Sequence, residues 1–274
     1  MPTGLPPDAT CNRDVAYASG GHPRQRLDLF VPGGLESCPL VIWIHGGEFR
    51  RGSKSDRVPL WLLAHGCAVA SLDYRLSGDA VLPAAIEDVR SAVRWLRAHA
   101  AEHGLDAERF AAWGESAGGY LAAMIGVTGG RQIFDTPDQQ DVASRVCAVV
   151  DFFGPTDFLQ MDAHRGAGGM LHDAADSPES MAIGGPIQDR REAVRRVSPL
   201  TYVSRDAPPF LIVHGEADPA VPHHQSELLA TALSGAGVDV GFYTVPGGAH
   251  GGFTDPAVRD LLGAFLVKHL ALAG

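Results

Sequence analysis

A chain of 274 residues has the length of one large α/β domain and can bury a full hydrophobic core. With 45% hydrophobic and 20% charged residues, it has the make-up of a globular enzyme rather than a fibre or a disordered tail. The formal net charge of -10, from 32 acidic against 22 basic residues, repels phosphate backbones and anionic membranes and argues against nucleic acid as a partner.

The four cysteines, Cys11, Cys38, Cys67 and Cys147, form no CxxC pair, so reduced thiols are expected rather than a zinc or redox site. The start, MPTGLPPDATCNRD, lacks the basic segment and apolar core of a secretory signal, and no apolar run approaches the roughly 20 residues that a membrane span needs. These features lead to the expectation of a cytoplasmic protein with no membrane span, folded as a single domain over residues 1–274.

Val15–Ser19 and Arg26–Val31 read as two short strands around the turn-rich Gly20-Gly21-His22-Pro23, an opening antiparallel hairpin. Pro39-Leu-Val-Ile-Trp-Ile-His45 is a continuous apolar run stopped by Gly46-Gly47, the pattern of a strand buried on both faces of a parallel sheet. A helical stretch near Val58–His65 leads to a second such strand, Ala68–Tyr74, completing a βαβ unit. Leu82–His103 has helical spacing at Ile86, Val89, Val93, Leu96 and Ala100, with Glu87, Arg90, Arg94 and Arg97 on the side expected to meet water. Phe110–Trp113 is a third parallel strand, running through Gly114–Gly119 into a helix at Tyr120–Ile125. Val146–Phe153, Phe210–Val213 and Val240–Val245 supply further strands, and Glu227–Leu233 and Val258–Leu270 further helices. Such alternation predicts a mostly parallel central sheet flanked by helices. Residues 155–205 break it, with only a short helical patch near Arg190–Val197. They read as a small lid or insertion, the first place to look for substrate selectivity.

Gly114-Glu-Ser116-Ala-Gly118 matches the Gly-x-Ser-x-Gly nucleophile elbow, whose glycines allow a sharp turn that lifts the serine hydroxyl clear of the backbone. The pattern is weak alone and gains meaning from the buried strand before it and the helix after it. A serine hydroxyl needs a base in hydrogen-bond reach and a carboxylate to orient that base. The strand at Phe210 empties into Glu216-Ala-Asp218, where Asp218 is the candidate acid, with Glu216 as its rival two residues earlier. Val245-Pro-Gly-Gly-Ala-His250-Gly-Gly252 then offers His250 as the base, in a glycine-rich loop between the last strand and the last helix. Ser, Asp, His, each after its own strand, is the chain order expected of this chemistry. Donors for an oxyanion are expected from the amide of Ala117 and from His45-Gly46-Gly47-Glu48, directly after a buried strand.

Together with Asp73-Tyr74-Arg75-Leu76, the Gly154-Pro-Thr-Asp157 turn and Ser198-Pro-Leu-Thr-Tyr202, these motifs resemble the hormone-sensitive-lipase-like and acetyl-xylan or feruloyl esterase branch of the α/β-hydrolase-fold serine esterases, from about Asp14 to the end of the chain. The resemblance implies an α/β-hydrolase fold, a catalytic triad of Ser116, Asp218 and His250, and an oxyanion hole from the amides of Gly47, Glu48 and Ala117. It also implies cofactor-free hydrolysis of a small-molecule ester with a short acyl or aryl group. Glu48 departs from the family pattern, which has a third glycine there, and Arg50 and Arg51 are close enough in sequence to pair with it. An arylformamidase-like amidase with the same triad, and a non-catalytic hydrolase-fold binding protein, are the alternative readings.

Overall fold

Strands that are apolar at every position require cover on both faces, and in this protein they form the centre of a sheet. The computed structural model describes residues 5–19, 21–138 and 141–272. Gly20 of the expected turn and the first four residues lie outside the described residues. The strands are β1 (Thr10–Ala16), β2 (Arg26–Val31), β3 (Cys38–Ile44), β4 (Ala68–Leu72), β5 (Leu105–Glu115), β6 (Ala148–Phe152), β7 (Phe210–Gly215) and β8 (Val240–Val245). They pair in the order β1-β2-β4-β3-β5-β6-β7-β8. β1 and β2 form the opening hairpin, with β1 starting five residues before the expected strand and bulged between Asn12 and Val15. β2 meets β4 antiparallel, and every later pairing is parallel.

β3 is buried along its whole length, and its side chains alternate between two cores. Leu40, Ile42 and Ile44 join the core under α1 (Ala84–Ala98) and α2 (Ala117–Thr128), whereas Val41 and Trp43 join the core on the opposite face. That second core is closed by the 3-10 helix Leu60–His65 and by Val258, Leu262, Leu266 and Leu270 of the C-terminal helix. From β3 the chain passes to β4 on one side and later to β5 on the other. The loops after β3 and β5 therefore diverge at a topological switch point, where open parallel sheets form a crevice beyond their carboxyl ends.

The helix expected over 82–103 is α1, followed by a separate 3-10 turn, Ala101–His103, that Gly104 ends in the left-handed conformation. Ile86, Val89, Val93 and Leu96 are fully buried, each contributing about 1.5–3 kcal/mol from burial. The expectation that Arg90 and Arg94 face water is wrong: both are buried. The segment between α2 and β6 wraps over them. Arg90 donates to the Thr128 carbonyl at 2.7 Å and the Arg131 carbonyl at 2.8 Å, Arg94 donates to the Val142 carbonyl at 2.9 Å, and both pair with Asp135. Helical periodicity does not reveal that a loop satisfies a polar face.

Residues between β6 and β7 form more helix than expected: α3 (Met161–His164), α4 (Pro178–Ile183) and α5 (Arg191–Arg196), of which only α5 coincides with the anticipated patch. α4 has little periodicity to detect, and its start is set locally, with the Ser177 side chain accepting from the Ser180 amide and proline in the first turn. The segment is docked by Tyr120, whose hydroxyl donates to the Val197 carbonyl at 2.7 Å, and by Gln225 of α6 (His224–Gly235), whose Oε1 accepts from the Thr156 and Asp157 amides. α7 (Pro256–Leu270) is capped by Asp255, which accepts from the Ala257 amide. No helix among the described residues is long and apolar enough to cross a membrane.

Arg90 and Arg94 are buried and share the partly exposed Asp135, so removing that carboxylate leaves two buried charges without it. Asp135→Ala is expected to destabilise the protein by about 3 kcal/mol, measured by urea unfolding, whereas Asp135→Asn, which keeps an acceptor oxygen, should cost less.

Candidate active site

β5 ends at Glu115 and α2 begins at Ala117, leaving Ser116 alone to make the turn. Its backbone has φ 56 and ψ -121, a conformation that costs a non-glycine residue about 1–3 kcal/mol unless its surroundings impose it. They do. The Ser116 amide donates to the Phe152 carbonyl at 2.8 Å, and the Tyr120 amide closes the first turn of α2 on the Ser116 carbonyl at 3.0 Å. A Cβ on Gly118 would lie 2.0 Å from the Ile44 carbonyl oxygen, so only glycine lets the elbow lean this closely on β3.

The strand ends bring Ser116, Asp218 and His250 together. His250 Nε2 lies 3.0 Å from Ser116 Oγ, and His250 Nδ1 lies 2.7 Å from Asp218 Oδ2. The carboxylate requires hydrogen on Nδ1, which leaves Nε2 free to accept the serine proton. Asp218 Oδ1 accepts from the Ala220 and Val221 amides at 2.7 and 2.9 Å. Burial pushes the Asp218 carboxyl up, but hydrogen bonds from His214, His250 and the Val221 amide outweigh it and hold the group well below the usual carboxylate range. Glu216, the rival acid, turns elsewhere and accepts from the Gly247 amide at 3.0 Å.

Ser116 and His250 open into a cleft of about 550 Å³, lined also by Trp43, Phe153 and residues of the loop after β3. Glu48 is in this wall, at φ 58, and its carboxylate is bound by Arg50 and Arg51. Gly47 lines the same cleft, while Ala117 is buried behind it at the first position of α2, where a helix N–H has no intrahelical acceptor. No residue of 155–205 lines the cleft, whose wall comes instead from the loop of residues 45–57. That loop is anchored by the Trp43 indole N–H on the Asp56 carbonyl at 2.9 Å and by Lys54, which reaches Asp28 at 2.6 Å and Asp14 at 2.8 Å.

A family model, BD-FAE, matches residues 27–233. The chain belongs to the BD-FAE family. The match contains Ser116 and Asp218 and ends before His250. Esterase LipC of Mycobacterium tuberculosis is 31% identical over 245 residues, 87% of this chain and 59% of that protein. The chain spans about three fifths of the length of such relatives. Among solved structures, a truncated form of a carbohydrate esterase from gut microbiota is 32% identical, with a TM-score of 0.88 over 98% of this chain and 99% of that one. Esterase 2 of Thermogutta terrifontis, phosphorylated by paraoxon, is 25% identical, with a TM-score of 0.72 over 98% and 96% of the two chains. The fold of this BD-FAE chain is accordingly the α/β-hydrolase fold.

Several side chains at the site were given no individual role by the motifs. His45 is buried and stacks on Tyr74, and its Nδ1 donates to the Gly46 carbonyl at 2.6 Å. Glu115, next to the serine, pairs with Arg57 at 3.2 Å; burial raises its carboxyl and Arg57 opposes the rise. Phe153, just past the end of β6, places its ring against His250, with the ring centroids 4.6 Å apart and the planes at 60°. Apart from the His45–Gly46 hydrogen bond, these contacts join residues far apart in the chain, so no spacing rule signals them. Among the described residues, no three His, Cys, Asp or Glu side chains converge as metal ligands would.

Asp151, on β6, is fully buried, and burial pushes its carboxyl up to about 6 against the Gly154 amide and His214. A carboxyl raised on folding favours the protonated form, so its contribution to stability is complete below about pH 4 and lost as pH rises through about 6. Asp151→Asn keeps an oxygen for the Gly154 amide. It should be more stable than the parent by up to about 3 kcal/mol at pH 8 and gain nothing below about pH 4, measured by urea unfolding at both values.

Proposed function

We propose that this protein is a serine carboxylesterase that hydrolyses short acyl or aryl esters through an acyl-enzyme on Ser116. One observation carries the reading: His250 lies between Ser116 Oγ at 3.0 Å and Asp218 Oδ2 at 2.7 Å, above the carboxyl ends of three parallel strands. In this reading Ser116 attacks the ester carbonyl while His250 Nε2 takes its proton, and Asp218 holds the tautomer and stabilises the imidazolium. Negative charge collecting on the carbonyl oxygen is met by the amides of Gly47, Glu48 and Ala117. The intermediate collapses, the ester C–O bond breaks and His250 protonates the departing alcohol. A water, deprotonated by His250, then attacks the acyl-enzyme, and the acid leaves with Ser116 restored.

Glu48 fits this scheme in place of glycine because its backbone is already at φ 58 and its side chain is tied back by two arginines. Acetyl or feruloyl esters of carbohydrates are the proposed natural substrates. The 32% identical relative is described as a carbohydrate esterase, and the cleft offers Glu48, Arg51, Asp56, Arg57 and Glu115 to a hydroxyl-rich alcohol. The paraoxon-phosphorylated relative supports a nucleophilic mechanism, since an organophosphate reacts with an activated nucleophile.

Initial rates on p-nitrophenyl esters from acetate to dodecanoate test the proposal. Turnover should be fastest on the short esters and fall by about four orders of magnitude or more in Ser116→Ala. Asp218→Asn should lose about as much, while Glu216→Gln stays close to the parent. Absence of turnover on every ester, or equal rates in Ser116→Ala, would overturn the reading. In a separate assay, paraoxon should inactivate the parent and phosphorylate the peptide containing Ser116, read by mass spectrometry, and leave Ser116→Ala unmodified.

A further inference from the structure

Asp218 meets a second histidine. His214, the penultimate residue of β7, is completely buried, and its Nε2 lies 3.2 Å from Asp218 Oδ2, the same oxygen that receives His250. Nε2 also lies 2.9 Å from the Val221 carbonyl oxygen. Both of these neighbours only accept hydrogen bonds, so the hydrogen belongs on Nε2 and is shared between them. Nδ1 then accepts from the Ser226 hydroxyl of α6 at 2.7 Å. The ring is satisfied at both nitrogens, with a single tautomer.

We propose that His214 is a positioning residue for the reaction at Ser116. Its Nε2–H occupies the second lone pair of Asp218 Oδ2, keeping the first aimed at His250, and it withdraws charge from the carboxylate. The inference rests on the triad reading above. An apolar residue could fill a buried strand position more cheaply than an imidazole, which has to be hydrogen-bonded on both sides. The ring nevertheless links the acid of the site to a serine on α6, and through the Val221 carbonyl it ties down the loop whose amides hold Asp218 Oδ1. The ionisable groups facing it are Asp151 from β6, Asp218 from the following loop and His223 beside α6, whose ring centroid is 5.5 Å away.

The test compares His214→Leu, His214→Asn and His214→Gln with the parent and with Ser116→Ala. It measures the pH profile of kcat/KM on p-nitrophenyl acetate and the thermal unfolding of each. A carboxylate with one donor fewer holds the His250 proton more tightly, so the acid limb should move to higher pH in His214→Leu, with kcat/KM down about tenfold or more. Glutamine can carry an amide N–H near the Nε2 position, whereas asparagine ends short of Asp218. His214→Gln should therefore recover most of the rate and the parental limb, and His214→Asn should not. The asparagine and glutamine pair decides the matter if His214→Leu does not fold. Acid limbs that coincide with the parent in every folded variant, with rates that follow only the folded fraction, would overturn the proposal. Parental activity in Ser116→Ala would instead remove the triad reading itself.

Discussion

The site depends on Ser116 staying in a backbone conformation that a free serine avoids. At φ 56 and ψ -121 the residue stores strain, and the structure holds it by pressing the start of α2 against β3 until Gly118 lies where no side chain fits. The hydrogen bond from the Ser116 amide to the Phe152 carbonyl fixes the other side. The contact requires β3 and β5 to be neighbours, and the crossover through β4 makes them so. The sheet order thus enforces the elbow and also sets the loop after β3 beside it.

Charge at the site is managed by hydrogen bonding rather than by exposure. Asp218 has no exposed side-chain surface, yet four donors from two histidines and two backbone amides converge on its oxygens. A buried carboxylate with that many donors stays ionised, and an ionised carboxylate can stabilise a neighbouring imidazolium. Asp151, one strand away, shows the opposite case: one amide and a nearby histidine do not offset its burial, and its carboxyl is raised to about 6. The two differ in the number of donors, a property of the folded loops.

Much of this architecture is legible in local pattern. Continuous apolar runs such as Pro39–His45 mark strands covered on both faces, because polar side chains there would be buried without partners. Glycine at fixed offsets around Ser116 marks a backbone approach that other residues forbid, and that physical need makes the motif informative. The positions of Asp218 and His250 after their strands were legible for the same reason. Arg90 and Arg94 were misread because an amphipathic pattern says which residues leave the core and not whether a loop will later cover them. The helices over 155–205 are too short to show a period, so local pattern carries little signal for them, and the segment packs beside α2 and α6.

By itself, then, the sequence determined the fold class, the strand–turn–helix at Ser116 and the chain order of serine, aspartate and histidine, since each rests on spacing within a short stretch. Only the tertiary structure decided which carboxylate faces His250, which loop walls the cleft, and that His214 shares Asp218. These depend on distances between residues up to 134 apart in the chain, and they are set by strand register and loop conformation. Glu216 and Asp218 differ by two positions in sequence and by their direction in space, and that direction is settled by the Gly247 amide on one and His250 on the other.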